Sequence, residues 1–170
     1  FKAVAESTSL PVMVYNVPGR TVTNISPETV IRLSEVPNIK AVKEASGNFN
    51  AMTKIIANTP DDFDLYSGDD GLALPVLAIG GAGVVSVASH IIGRDIQDMI
   101  QKFLSGEKEE AAKIHQRVLP IMEGLFMAPS PAPVKTALQI KGIDVGSVRL
   151  PLVPMNEVER NTLIQLLNTL

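Results

Sequence analysis

Short apolar runs recur through the first half of the chain, each bounded by Pro, Gly, Asn or Asp. Residues 12–17, 39–46, 63–67 and 83–89 are β-branched or otherwise apolar and too short for helices, which predicts four strands. Helical spacing fills the gaps between them. Ser26-Pro27-Glu28 supplies a hydroxyl cap, a proline for the first turn and a carboxylate for the positive helix end, and Val30, Ile31, Leu33 and Val36 continue as a helical stripe. Residues 50–58 carry Met52, Ile55 and Ile56 on one face, and Asp69 with Asp70 can cap a helix running through Ile79. Such strand–helix alternation implies a parallel sheet with covered faces.

Beyond Ser89 the pattern becomes helical throughout. Ile96, Met99, Ile100, Phe103 and Leu104 form one stripe, ended by Gly106. Further helices are predicted over 107–127, over 133–141 up to Gly142, and over 156–170, where Asn156 and Glu159 have capping-box spacing. The expected organisation is α/β: half of an eight-stranded (β/α)8 barrel over 1–106, then a helical domain over 107–170. No low-complexity linker separates the two, so they are expected to pack together. A barrel of this kind needs ~250 residues and keeps its chemistry at the carboxyl ends of its strands. The unusual polar residues sit there: Tyr15-Asn16, Lys43-Glu44 and Ser67-Gly68-Asp69-Asp70. An open doubly wound sheet is the alternative, but it should carry a glycine-rich nucleotide turn after its first strand, and none is present. Residues 1–10 lack the features of a signal peptide and read as the tail of a helix, so the chain is expected to begin inside a larger protein.

Composition narrows the function classes. The chain has 170 residues, 45% of them hydrophobic, enough for one domain or one plus a small appendage. A net charge of −3 without any basic run argues against a nucleic-acid footprint or an acidic-lipid surface. Cysteine is absent, which excludes disulfides and thiolate metal sites and fits a cytoplasmic protein. The uncharged stretch 71–93 is long enough for a membrane span, yet Pro75, Gly80, Gly81, Gly83, Ser86, Ser89 and His90 interrupt it; a buried helix, a glycine turn and a buried strand explain it better.

One lysine stands where a strand should have none. In Ile39-Lys40-Ala41-Val42-Lys43-Glu44-Ala45-Ser46-Gly47, alternation puts Ala41, Lys43 and Ala45 on one face. Two alanines beside one long amine would leave a hollow where an ammonium is poorly solvated, favouring the neutral amine that attacks a carbonyl carbon. Lys43 is therefore a Schiff-base candidate, against the plainer reading of a surface lysine near a strand end. Tyr15 shares a face with Met13 and Val17 and could exchange a proton at the mouth of the sheet; Arg20 offers a fork of donors for a carboxylate. Their plainer reading is a core tyrosine and a solvated arginine. Gly80-Gly81-Ala82-Gly83 fits neither the dinucleotide fingerprint nor the phosphate loop and suits close backbone approach. Asp69-Asp70 reads as helix capping rather than a metal pair. His90 and His115 lack the spacing of a zinc site, and the 107–110 charge cluster reads as a solvated helix start.

These motifs together carry a resemblance. Tyr15-Asn16-Val17-Pro18-Gly19-Arg20-Thr21 followed by Lys43-Glu44-Ala45-Ser46-Gly47 resembles the dihydrodipicolinate synthase / N-acetylneuraminate lyase family, class I aldolase-type barrels. Ser67-Gly68-Asp69-Asp70, Gly80-Gly81-Ala82-Gly83-Val84-Val85-Ser86-Val87, Pro133-Val134-Lys135-Thr136-Ala137-Leu138 and Gly146-Ser147-Val148-Arg149-Leu150-Pro151-Leu152 extend the similarity over nearly the whole chain. The resemblance implies the C-terminal half of a TIM barrel with a C-terminal helical domain, the first four strand–helix units of the family being absent. It implies Lys43 as the Schiff-base lysine for pyruvate, Tyr15 as proton carrier, and Arg20 as receiver of the aspartate semialdehyde carboxylate. The Val85 backbone and Gly68 would lie at the pyruvate site, in a reaction of lysine and diaminopimelate biosynthesis with no metal or organic cofactor. The Arg20-Thr21 pair favours the synthase branch over the sialic acid lyase, and a related class I pyruvate aldolase or lyase, such as N-acetylneuraminate lyase or a keto-deoxy sugar acid aldolase, is the alternative. The absent half normally supplies a Thr-Thr pair, a second tyrosine and the lysine-feedback site. The isolated chain is accordingly expected to have little or no synthase activity. It is expected either to form a homo-oligomer or to be completed by an N-terminal half, with a catalytically silent assembly module as the other class.

Overall fold

In the computed structural model, which describes residues 1–170, the four expected strands pair side by side in chain order and all in parallel. The elements are α1 (Lys2–Glu6), β1 (Val12–Asn16), α2 (Pro18–Thr21), α3 (Pro27–Ser34), β2 (Ile39–Glu44), α4 (Phe49–Asn58), β3 (Asp64–Ser67), a 3-10 turn (Asp70–Leu72), α5 (Ala73–Ala78), β4 (Gly83–Val84), α6 (Ser89–Leu104), α7 (Lys108–Gly124), α8 (Ala132–Ile140) and α9 (Glu157–Leu167). Two compact units result, Phe1–Val85 and Ser86–Leu170. The division falls ahead of the boundary expected after residue 106, because α6 packs on α7 and α8.

In the first unit, Val14, Val42 and Leu65 align across β1, β2 and β3 and are buried with Val30 of α3, Met52 and Ile55 of α4, and Val76 of α5. Removing these side chains from water drives the sheet against its helices. Of the expected stripe, Val30 is buried in this core and Leu33 packs against it, as does Val36, which lies just beyond the end of α3. The caps form as their residues dictate. Ser26 Oγ accepts from the Thr29 amide at 3.3 Å, and Asn48 Oδ1 accepts from the Ala51 amide at 3.0 Å. Asp69 Oδ1 accepts from the Gly71 amide at 2.9 Å, whereas Asp70 is itself buried.

The strand expected over 83–89 is only Gly83–Val84. Ser86 ends the extended run: its Oγ accepts from the Ser89 amide at 2.8 Å, so side chain and backbone form a turn instead of continuing a ladder. The glycines before β4 serve close approach, as expected. A Cβ on Gly81 would lie 2.3 Å from Val76 Cγ1 and 2.9 Å from the Val76 carbonyl. No helix is long and apolar enough to cross a membrane.

In the second unit, Ile92, Ile96 and Met99 of α6, Ala111, Val118, Ile121 and Met122 of α7, Ala137 of α8 and Leu163 of α9 are buried. Both halves of the Asn156–Glu159 capping box are present, at 2.9 Å each. Lys135 Nζ donates to the carbonyls of Val145 at 2.9 Å and Ser147 at 2.7 Å, tying the 143–149 segment to α8.

His115 on α7 has a buried Nδ1 without a hydrogen-bond partner, and burial holds its imidazole below the ordinary histidine value. The folded chain therefore favours the neutral ring. Its contribution to stability is complete above the unfolded value of about 6.5 and is lost as pH falls through the depressed folded value. Thermal melting from about pH 7.5 to about pH 5 should lower the Tm of the parent more than that of His115→Gln. Equal losses would contradict this.

Candidate active site

Register sets the geometry of the carboxyl ends. Tyr15 stands opposite Lys43, and Lys43 opposite Tyr66, all on the sheet face away from the apolar core. The Lys43 Nζ lies 4.1 Å from the centroid of the Tyr15 ring. At that distance the negative ring face attracts a cation and fixes the end of an otherwise mobile side chain. Ala41 is buried, Lys43 is half-buried and Tyr15 is 42% exposed. The expected closed hollow between alanines is thus corrected. The amine rests on a phenol ring on a half-open face, because β1 is an edge strand.

Gly68 completes this neighbourhood. Its amide donates to the Glu44 carbonyl at 2.8 Å, bringing the turn after β3 against the end of β2. A Cβ there would sit 2.7 Å from the Ala45 Cβ and 3.1 Å from the Lys43 Cε. Gly68 therefore lies against the Lys43 stem. The Val85 amide donates to the Ser67 carbonyl at 2.9 Å, which carries the chain past β4 on the carboxyl side. Arg20 lies on α2, just after β1, and is exposed. The structure thus brings Tyr15, Lys43 and Gly68 together, and holds Arg20 and Val85 on the segments that leave β1 and β4, the two edge strands of the sheet.

Two site residues carried no signal as individuals. Asn16 and Glu44 follow Tyr15 and Lys43, pair in register, and are each 1% exposed on the opposite face. Asn16 Nδ2 donates to both Glu44 oxygens, at 3.1 and 2.9 Å, and to Asn24 Oδ1 at 2.9 Å. Asn16 Oδ1 accepts from the Ile25 amide at 3.0 Å, and Glu44 Oε1 accepts from the Ser46 amide at 2.7 Å. Val22, almost fully exposed, has φ of 62°, a left-handed conformation that a β-branched residue seldom adopts. This bend after α2 returns the chain so that Asn24 and Ile25 reach Asn16. The clustering of polar residues at strand exits was readable. That these two would be buried was not, since Asn and Glu are ordinarily exposed.

Tyr66 was also missed. Its phenol is 3.5 Å from Asp64 Oδ2, and burial, then the Asp64 carboxylate, raise it above the ordinary tyrosine value.

A parallel strand–helix sheet with a lysine amine at its carboxyl ends defines an α/β scaffold of the kind that builds class I aldolase barrels. The model of the dihydrodipicolinate synthetase family matches residues 1–170, and the chain belongs to that family. It is 66% identical over 170 residues to the 4-hydroxy-tetrahydrodipicolinate synthase of Bacillus velezensis, covering 100% of this chain and 59% of that protein. Against the enzyme of the same name from Bacillus subtilis it is 65% identical, covering 96% of this chain and 57% of the relative. A crystal structure of dihydrodipicolinate synthase from Bacillus anthracis superposes with a TM-score of 0.97 at 58% identity, covering 100% of this chain and 58% of that one. The chain thus spans less than two thirds of these relatives. The matches establish that share and not its position along them, so the expectation of a C-terminal half narrows to a partial barrel.

Gly68→Ala should displace the lysine: the added methyl meets the Ala45 Cβ and the Lys43 stem, an overpacking costing about 1–3 kcal/mol. A Tm equal to that of the parent would contradict this packing.

Proposed function

We propose that this chain carries the Schiff-base portion of a pyruvate-dependent lyase of the 4-hydroxy-tetrahydrodipicolinate synthase type. The observation that supports this most is the Lys43 amine held against the Tyr15 phenol ring at the carboxyl ends of adjacent parallel strands. In this reading the Lys43 ammonium held over the ring first gives up its proton to solvent, and the freed amine attacks the ketone carbon of pyruvate. A carbon–nitrogen bond forms and the ketone oxygen leaves as water, with Tyr15 exchanging protons. The iminium draws electrons from the methyl carbon, which loses a proton to give an enamine. The enamine carbon attacks the aldehyde of aspartate semialdehyde, whose carboxylate Arg20 receives. The amino group of the condensed product then displaces Lys43 and closes the ring, restoring the free lysine. Gly68 leaves room for the lysine stem, and the Val85 backbone lines the pyruvate side. The residues and steps belong to lysine and diaminopimelate biosynthesis in the cytoplasm.

Mass spectrometry after pyruvate and borohydride tests the nucleophile. A reduced pyruvate adduct on Lys43, absent in Lys43→Arg, is the expected result. An unmodified Lys43 at saturating pyruvate would overturn the assignment.

The open sheet supports a second element of the proposal. β1 and β4 each pair on one side only, and Met13 and Tyr15, on the face away from the core, are each 42% exposed. Unpaired strand edges beside exposed apolar surface favour pairing with further strands. We infer that copies of the chain associate through this sheet, and that turnover by a dissociated chain is low. Light scattering on a sizing column should give a mass above that of one 18.2 kDa chain. A well-folded particle of single-chain mass at all concentrations would contradict association.

A further inference from the structure

The Asn16–Glu44 pair does more than fill space. Glu44 is a carboxylate at 1% exposure, and none of the ion pairs of the chain includes it. It is held by dipoles alone: the Asn16 amide and the Ser46 backbone amide. Burying a carboxylate without a cation is costly, and an apolar pair of similar volume would stabilise the sheet at least as well. Such a group is explained better by what it orients than by its stability.

What it orients is specific. The main chains of the same two residues continue the ladder: the Ala45 amide donates to the Asn16 carbonyl at 2.9 Å, and the Gly68 amide to the Glu44 carbonyl at 2.8 Å. Asn16 and Glu44 therefore join β1, β2 and the turn after β3 at one level, one residue beyond Tyr15 and Lys43. The Asn16 side chain also closes the 17–25 loop that carries Arg20, through Asn24 and Ile25. Every candidate group on β1, on the loop after it and on β2 is referenced to this one buried link.

We propose that Asn16 and Glu44 are positioning residues: their buried hydrogen-bonded pair locks the ends of β1 and β2 so that the Lys43 amine sits over Tyr15, with the Arg20 loop drawn in behind them. The proposal rests on Lys43 being the pyruvate nucleophile, and its test separates the two. The donor–acceptor logic of the pair can be reversed. Glu44→Gln turns an amide toward the Asn16 amide, and Asn16→Asp sets two carboxylates face to face; each breaks the link. The double variant N16D/E44Q restores it at the same net charge. The glutamine amide donates to the aspartate, the aspartate still accepts from Ile25, the glutamine oxygen still accepts from Ser46, and Asn24 turns its amide to donate.

The readout is the rate at which borohydride traps pyruvate on Lys43, followed against pyruvate concentration below the Tm of every variant. Each single variant should lower the saturating rate by roughly tenfold or more, as small misplacements of a reacting group do, with the half-saturating concentration changed far less. The double variant should recover to within about threefold of the parent. Single variants that melt earlier but trap at the parental rate would assign the pair a structural role only. A double variant no better than the singles would overturn the pairing. If the parent forms no adduct, the nucleophile assignment fails, and a pyruvate-free arm decides the positioning. The chain has two tyrosines and no tryptophan, so in a Tyr66→Phe background the intrinsic emission belongs to Tyr15. Glu44→Gln should make that emission more accessible to a neutral quencher and N16D/E44Q should reverse the change. Unchanged quenching in all variants would overturn the proposal.

Discussion

The parallel register between β1 and β2 is the constraint on which the site depends. Alternation along a strand allows no intermediate outcome. A slip of one residue would send Lys43 to the helix side and turn Glu44 outward. Tyr15 opposite Lys43, and Asn16 opposite Glu44, are two consequences of one pairing. The apolar row of Val14, Val42 and Leu65 enforces it from one side, since these three are buried only in this register.

The two faces of the strand ends follow different rules. Toward the helices, Asn16 and Glu44 are buried, and their polar groups find partners in each other and in Asn24, Ile25 and Ser46. On the other face the side chains are half-exposed and held by shape: the lysine by a ring beneath it, and by a turn whose Gly68 leaves no Cβ in its path. Rigidity on the buried face serves precision on the open one. A reactive amine needs both: water-accessible room for a carbonyl compound, and a stem that does not wander.

Much of this was legible in the residues, and the failures have physical causes. The caps at Ser26 and Asn156 were readable because capping is local chemistry over three residues. Lys43 and Tyr15 were readable because alternation fixes faces without knowledge of tertiary structure. The last strand was overextended because Val84, Val85 and Val87 look like a ladder, while Ser86 and Ser89 bond to each other and start a helix. The hollow around Lys43 was expected from two alanines; what fills that place is a ring from the neighbouring strand, a contact between residues far apart in the chain. The same limit hid Asn16 and Glu44, whose importance lies in a hydrogen bond across 28 positions. The unit boundary moved because helix-on-helix packing, which no local pattern encodes, groups α6 with the helices after it.

The most direct measurement is proton NMR of the lysine ε-methylenes. A methylene attached to an amine that lies over an aromatic ring is shifted upfield by the ring current. One lysine should therefore show ε-methylene resonances upfield of the others, assigned to Lys43 by its loss in Lys43→Arg and collapsing into the common envelope in Tyr15→Leu. If every lysine ε-methylene already resonates in that envelope in the parent chain, the amine does not rest on Tyr15, and the site described here does not exist.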